Sequence, residues 1–198
     1  MKSFAIGCVV ILILAVLIVG GVVMSSYNRL VALEEAVDSA WAQVENVYQR
    51  RADLIPNLVK TVQASADFEQ TTLNEVVEAR AKAGSIQISG PPTAEQLQVF
   101  QQAQTGLSSA LSRLLVTVEA YPDIKSTQNF RDLQAQLEGA ENRIAVERKR
   151  YNEVAQAFNT LRRRFPTNLI AGLFGFAQAK PYFKSDEGAS TVPEVNFE

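Results

Sequence analysis

From Phe4 to Met24 every residue is apolar or small, and no charge falls between Lys2 and Arg29. A helix over those 21 residues would be about 31 Å long, close to the ~30 Å hydrocarbon thickness of a bilayer. A cleaved secretory signal has a shorter apolar core, of about 7–15 residues, and small residues at its cleavage site. Here the exit Val22-Val23-Met24-Ser25-Ser26-Tyr27 places valine at the cleavage positions. Ala5-Ile6-Gly7-Cys8 resembles a lipoprotein signal, but too few apolar residues precede Cys8, which reads as a small apolar residue of the span. Residues 1–25 are therefore expected to be an uncleaved anchor, with Phe4, Ile11, Leu14, Leu17 and Met24 in the span. Lys2 on one side, and Arg29 beside Glu34, Glu35 and Asp38 on the other, lean toward a body outside the cytoplasm.

The body, from about Ser25 onward, is long enough to bury a core of its own. The only cysteine is Cys8, and histidine is absent, so a disulfide framework, a thiolate zinc site and the commonest general base are all excluded. Nineteen basic residues, one of them Lys2, stand against 21 acidic ones, a balance with no pull on nucleic acid. This composition suits a scaffold better than a catalyst, and no cofactor or metal is expected.

The dominant periodicity is helical. Phe130, Leu133, Leu137, Ala140, Ile144, Glu147, Tyr151, Val154, Phe158, Leu161 and Phe165 are separated by alternating steps of three and four. That is an a/d seam, and every position but Glu147 is apolar. A second seam runs from Leu97 through Phe100, Gln104, Leu107, Leu111, Leu114 and Val118 to Tyr121. A third runs from Leu30 through Leu33, Val37, Ala40, Val44, Val47, Arg51 and Leu54 to Leu58, widened by Trp41, Tyr48 and Ile55. Asp53 ahead of Pro56 predicts a cap or kink, because proline is tolerated only near a helix start. Gly84–Pro92 reads as a loop, followed by a Thr93/Gln96 capping box. Tyr121-Pro122-Asp123 reads as a turn, with Ser126 or Thr127 as the next cap, and Phe165-Pro166 as a stop. The expected helices are 26–53, continuing the anchor, then 54–83, 94–120 and 127–165. The fold class is all-α: a transmembrane helix leading into an antiparallel up-down four-helix bundle over 26–166.

Residues 167–184 form an apolar C-terminal segment too short to span a bilayer, broken by Gly172, Gly175 and Pro181. It reads either as a flap folded on the bundle or as an exposed segment meeting lipid or a neighbouring subunit. Residues 185–198 read as a disordered acidic tail.

Several short strings, in order, resemble the bacterial LemA family. They are Tyr27-Asn28-Arg29-Leu30-Val31, Ala40-Trp41, the run from Arg51 to Val59, Tyr121-Pro122 and Glu141-Asn142-Arg143-Ile144. Arg148 with Tyr151-Asn152, Phe158-Asn159, Phe165-Pro166, Asn168 with Ala171, and Tyr182-Phe183 complete the set. The resemblance covers about 25–185. It implies a single-pass protein of the bacterial inner membrane with a four-helix body, and relatives that accompany magnetosome membranes. It carries no catalytic residues.

Arg51 and Glu147 fall on otherwise apolar seams. They are either buried charges that meet each other or other partners across the bundle and fix its register, or they snorkel outward while Ala52 and Val146 face in. Glu34, Glu35 and Asp38, and Glu141 beside Asn142, read as solvated faces, since no histidine or third carboxylate completes a metal set. Arg148-Lys149-Arg150 and Arg162-Arg163-Arg164 read as salt-bridge partners or as contacts for anionic headgroups. The second triplet adjoins the apolar segment. Arg162, Arg163, Arg164, Leu169, Ile170, Leu173, Phe174 and Phe176 are therefore the candidate lipid or subunit contact. Asn57, Asn152, Asn159 and Asn168 are expected to bond backbone groups at kinks and caps. The functional expectation is a non-enzymatic anchored bundle that self-assembles or scaffolds at the membrane. Its expected partners are the bilayer and further copies of itself, and the alternative is an adaptor for a membrane protease or signalling complex.

Overall fold

A computed structural model describes residues 2–65 and 68–184, the side chains of 2–5, 8 and 9 excepted. The tail expected over 185–198 lies outside the described residues, as does the side chain of Phe4. The order is α1 (Lys2–Gln63), α2 (Gln70–Gly84), α3 (Ala94–Val118), α4 (Pro122–Lys125), α5 (Gln128–Arg163) and α6 (Thr167–Leu173). There is no strand among the described residues, and the fold is all-α.

The start of α1 is long and apolar enough to cross a membrane. Its most apolar 18-residue window has mean hydropathy 2.5, and none of it is buried against the rest of the chain. Ile11, Leu14, Leu17 and Met24 are all more than half exposed. From Leu30 onward the same helix enters the core, with Leu30, Val37, Val44, Ile55 and Leu58 fully buried.

No break occurs near Asp53: α1 runs through Pro56 and ends only at Gln63. The expected helix boundary at residues 53–54 is therefore corrected. Proline has no N–H to donate to the carbonyl four residues back, which here belongs to Ala52. Arg80 of α2 supplies the missing donor, its Nε lying 2.9 Å from the Ala52 oxygen. The other local signals are present as read. The Thr93 hydroxyl accepts from the Gln96 N–H at 3.2 Å while Gln96 Oε1 accepts from the Thr93 N–H at 2.9 Å. Thr127 caps α5 through the Phe130 N–H, 3.3 Å away, and the Tyr121-Pro122-Asp123 turn winds into α4.

Helices α1, α2, α3 and α5 alternate up and down. Arg51 meets Glu141 and Trp41 meets Tyr151 (ring centroids 5.8 Å apart), which sets α1 antiparallel to α5. Glu75 and Arg113, 3.0 Å apart, tie α2 to α3. The bundle holds two apolar cores. The one distal to the span contains Ile55, Leu58, Val62, Leu73, Val76, Leu107, Leu114 and Phe130. The proximal one contains Leu30, Val37, Trp41, Val44, Phe100, Ile144, Tyr151 and Phe158. The proximal core is completed not by α2 but by α6 and the extended strap that follows it, through Ile170, Ala171, Phe176 and Phe183.

Candidate functional site

The two cores meet at a polar layer. Arg51 is 1% exposed yet ionic. Its Nη1 donates to Ser108 Oγ at 2.8 Å and to Glu141 Oε1, and its Nη2 donates to Gln104 Oε1. The guanidinium also lies 5.2 Å from the centre of the Tyr48 ring. Hence α1, α3 and α5 are tied at one level, just where the apolar seams of α1 and α3 are interrupted, at Arg51 and Gln104. The outward-snorkelling reading fails for Arg51. Its partner is Glu141, not Glu147, and Glu141 makes this contact with its side chain still 46% exposed. Glu147 is partly exposed and lies 3.9 Å from Arg150, with Val146 pointing outward. Beside the layer a cleft of about 460 Å³ is lined by Gln101, Thr105, Ser109, Ser112 and Arg148, together with the Arg51 cluster. Its chemistry is hydrogen-bonding order: the one carboxylate is engaged by a cation, and no thiol or imidazole adjoins a hydroxyl.

The strap, residues 176–184, runs back along α5 away from the span. Asn159 donates to the Lys180 carbonyl at 2.8 Å and accepts from the Lys180 N–H at 2.9 Å. Two turns earlier on the helix, Asn152 does the same for Phe183, at 3.0 and 2.9 Å. An asparagine presents an acceptor and a donor side by side, so it pairs with an extended backbone as a neighbouring strand would. Lys184 O accepts from Arg148 at 2.7 Å and from Gln101 at 2.9 Å. Phe183 stacks on Trp41, centroid to centroid 6.1 Å, and lies under the Arg148 guanidinium. These asparagines hold a distant segment, not their own helix ends. Sequence reading missed that role because the partners are backbone groups. A seven-residue Asn–Asn spacing on one helix face was the available signal.

Lys180 bonds Glu34 Oε1 at 2.7 Å, so Glu34 is not simply solvated. Near this pair burial raises the Asp38 carboxyl above its ordinary value, a shift that Lys180 opposes and Glu34 and Glu35 reinforce. Burial likewise raises Glu45 and pushes the Tyr151 phenol far above its usual range. Among the described residues no group of three His, Cys, Asp or Glu could hold a metal ion.

The expected lipid or subunit contact divides in two. Ile170 and Phe176 are buried in the proximal core, 5% and 8% exposed. Leu169, Leu173 and Phe174 remain exposed, as do Arg163 and Arg164, whereas Arg162 donates to the Ala177 carbonyl. The segment is therefore a flap on its inner side and an open apolar surface on its outer side. Phe165, just past the end of α5, is exposed as well.

A long apolar helix that becomes the first member of a helical bundle defines a membrane-associated helical protein. The LemA family model matches residues 40–197, and the chain belongs to the LemA family. It is 28% identical to magnetosome protein MamQ 2 of Paramagnetospirillum magneticum, over 92% of this chain and 73% of that protein. It is 24% identical to magnetosome protein MamQ of Magnetospirillum gryphiswaldense, over 84% and 68%. With protein LemA of Metamycoplasma hominis the identity is 22%, over 73% and 63%.

Proposed function

We propose that the chain is a non-enzymatic scaffold of the bacterial inner membrane, anchored by a single pass, that assembles with copies of itself and organises the bilayer beneath it. The observation that carries this reading is the continuity of α1. One helix serves as both membrane span and bundle member, with no linker between them. A bundle on a flexible tether would report nothing of its orientation to the membrane. This one is stiffly joined, so packing between bundles imposes an angle on the spans. Confinement to two dimensions raises the effective concentration of subunits, so weak lateral contacts suffice for assembly. The magnetosome proteins among its relatives support a role at a specialised membrane. The sparse basic residues beside the span favour a periplasmic bundle.

The test is reconstitution of the full-length protein into vesicles, beside a variant with a short glycine-serine linker inserted between Tyr27 and Asn28. The expected result is self-crosslinking in both, with altered vesicle outlines by electron cryomicroscopy only for the continuous helix. A protein that stays monomeric at high surface density and leaves vesicles unchanged refutes the proposal.

A further inference from the structure

Phe165 and Leu173 are each 81% exposed, and Leu169 and Phe174 are 58% and 52% exposed. Such residues normally seek cover, and here four of them fall within ten residues of chain. On α6, Leu169 and Leu173 stand one turn apart on the outer face, while Thr167, Ile170 and Ala171 are buried on the inner one. Phe174 lies edge-on to Tyr27, ring centroids 5.3 Å apart, and Tyr27 follows the span. The α1–α5 register points to the same level: Arg51 faces Glu141 and Trp41 faces Tyr151, so continuing down the pair brings Phe165 level with Tyr27. Tyr27 is three residues beyond Met24, about 5 Å above the end of the apolar run. A headgroup layer is roughly 5–8 Å thick on each side of the hydrocarbon. The apolar cluster therefore sits at headgroup depth, and the exposed guanidiniums of Arg163 and Arg164 are beside it.

We infer that Phe165, Leu169, Leu173 and Phe174, with Arg163 and Arg164, form a collar that seats the base of the bundle on the lipid surface. The aromatic and leucine side chains enter the boundary between headgroups and acyl chains, and the arginines pair with anionic headgroup phosphates. The occupant is lipid because the collar is continuous with the span and lies where inserting α1 already places headgroups. With α1 it gives the bundle two points of attachment to the membrane. The inference rests on the anchor reading under Proposed function, and the experiment separates the two.

In a Cys8→Ser background, nitroxide labels are placed singly at Leu173→Cys, at Leu14→Cys in the span and at Val116→Cys. Val116 is 72% exposed near the far end of α3. The full-length protein is reconstituted into phosphatidylcholine/phosphatidylglycerol vesicles, and collision rates with oxygen and with a nickel chelate are measured. The expected result is an oxygen-to-nickel ratio at 173 several-fold above that at 116 and below that at 14. A ratio at 173 equal to that at 116, with 14 still in lipid, overturns the collar and leaves the anchor standing. A water-accessible 14 overturns the anchor. Shielding of 173 from both reagents, with spin–spin broadening that grows with surface density, shows a second copy as the occupant and overturns the lipid assignment. Leu169→Cys repeats the reading where Leu173→Cys disturbs α6, with Trp41 fluorescence reporting whether the bundle is intact.

Discussion

Removing Glu141 is expected to destabilise the bundle more than removing the arginine it pairs with. Arg51 is 1% exposed, whereas the Glu141 side chain is 46% exposed. In Glu141→Ala the guanidinium stays buried with only neutral acceptors, Gln104 Oε1 and Ser108 Oγ. Breaking a buried pair from one side typically costs 3–5 kcal/mol, and partial access for water puts this case near ~3 kcal/mol. In Arg51→Met much of the stem packing is kept and Glu141 turns into solvent. The loss is then a partner for the buried Gln104, about 1 kcal/mol. For a domain of this size 1 kcal/mol moves the unfolding midpoint by ~2–4 °C, so the expected shifts are ~6–12 °C and ~2–4 °C. Trp41, the only tryptophan and 1% exposed in the proximal core, reports bundle melting separately from the span. Thermal melts of the full-length protein in detergent, followed by Trp41 emission, give both numbers. Glu141→Ala combined with Arg51→Met should melt within a few degrees of Arg51→Met alone. Should Arg51→Met prove as costly as Glu141→Ala, the layer would be a net source of stability, and the desolvation argument would be wrong.

Three further outcomes follow from the geometry. Asn152→Ala and Asn159→Ala should each release one end of the strap at a cost of about 1–3 kcal/mol; hydrogen exchange at the Phe183 and Lys180 amides should accelerate respectively, and unchanged protection would show that the rings alone hold the strap. Arg80→Ala should destabilise the natural chain yet have little effect beside Pro56→Ala, since an alanine N–H serves the Ala52 carbonyl itself; equal losses in both backgrounds would refute that role. Asp38 has its folded pKa raised by burial, so its contribution is most favourable below its unfolded value and is lost as pH rises through the folded one. The stability gain of Asp38→Asn, measured by Trp41 melts, should therefore grow from near pH 4 upward and then level off, whereas a gain independent of pH would exclude the linkage.

The helices were readable because their seams repeat and their caps are local: Thr93 with Gln96, and Thr127, act within four residues. Pro56 misled for the opposite reason. Whether proline ends a helix depends on who receives the orphaned carbonyl, and Arg80 arrives from another helix. The Arg51 partner was not legible because it depends on register. Glu147 shares the a/d seam, but the antiparallel alignment of α1 and α5 puts Glu141 opposite Arg51, and a single sequence does not reveal that offset. The open side of the 167–184 segment was legible as apolar excess, but its division was not, because Ile170 and Leu173 are chemically alike and differ only in what stands behind them.

An unbroken α1 also sets a length scale. From Met24 to Gln63 it extends for about 58 Å at 1.5 Å per residue. Spans change their inclination to match bilayer thickness, with tilts averaging about 20°. A lean of that size at the base swings the far end sideways by ~20 Å. Small differences in hydrocarbon thickness would thus become displacements as wide as two helices at the crown of the bundle, where neighbouring molecules could compare them.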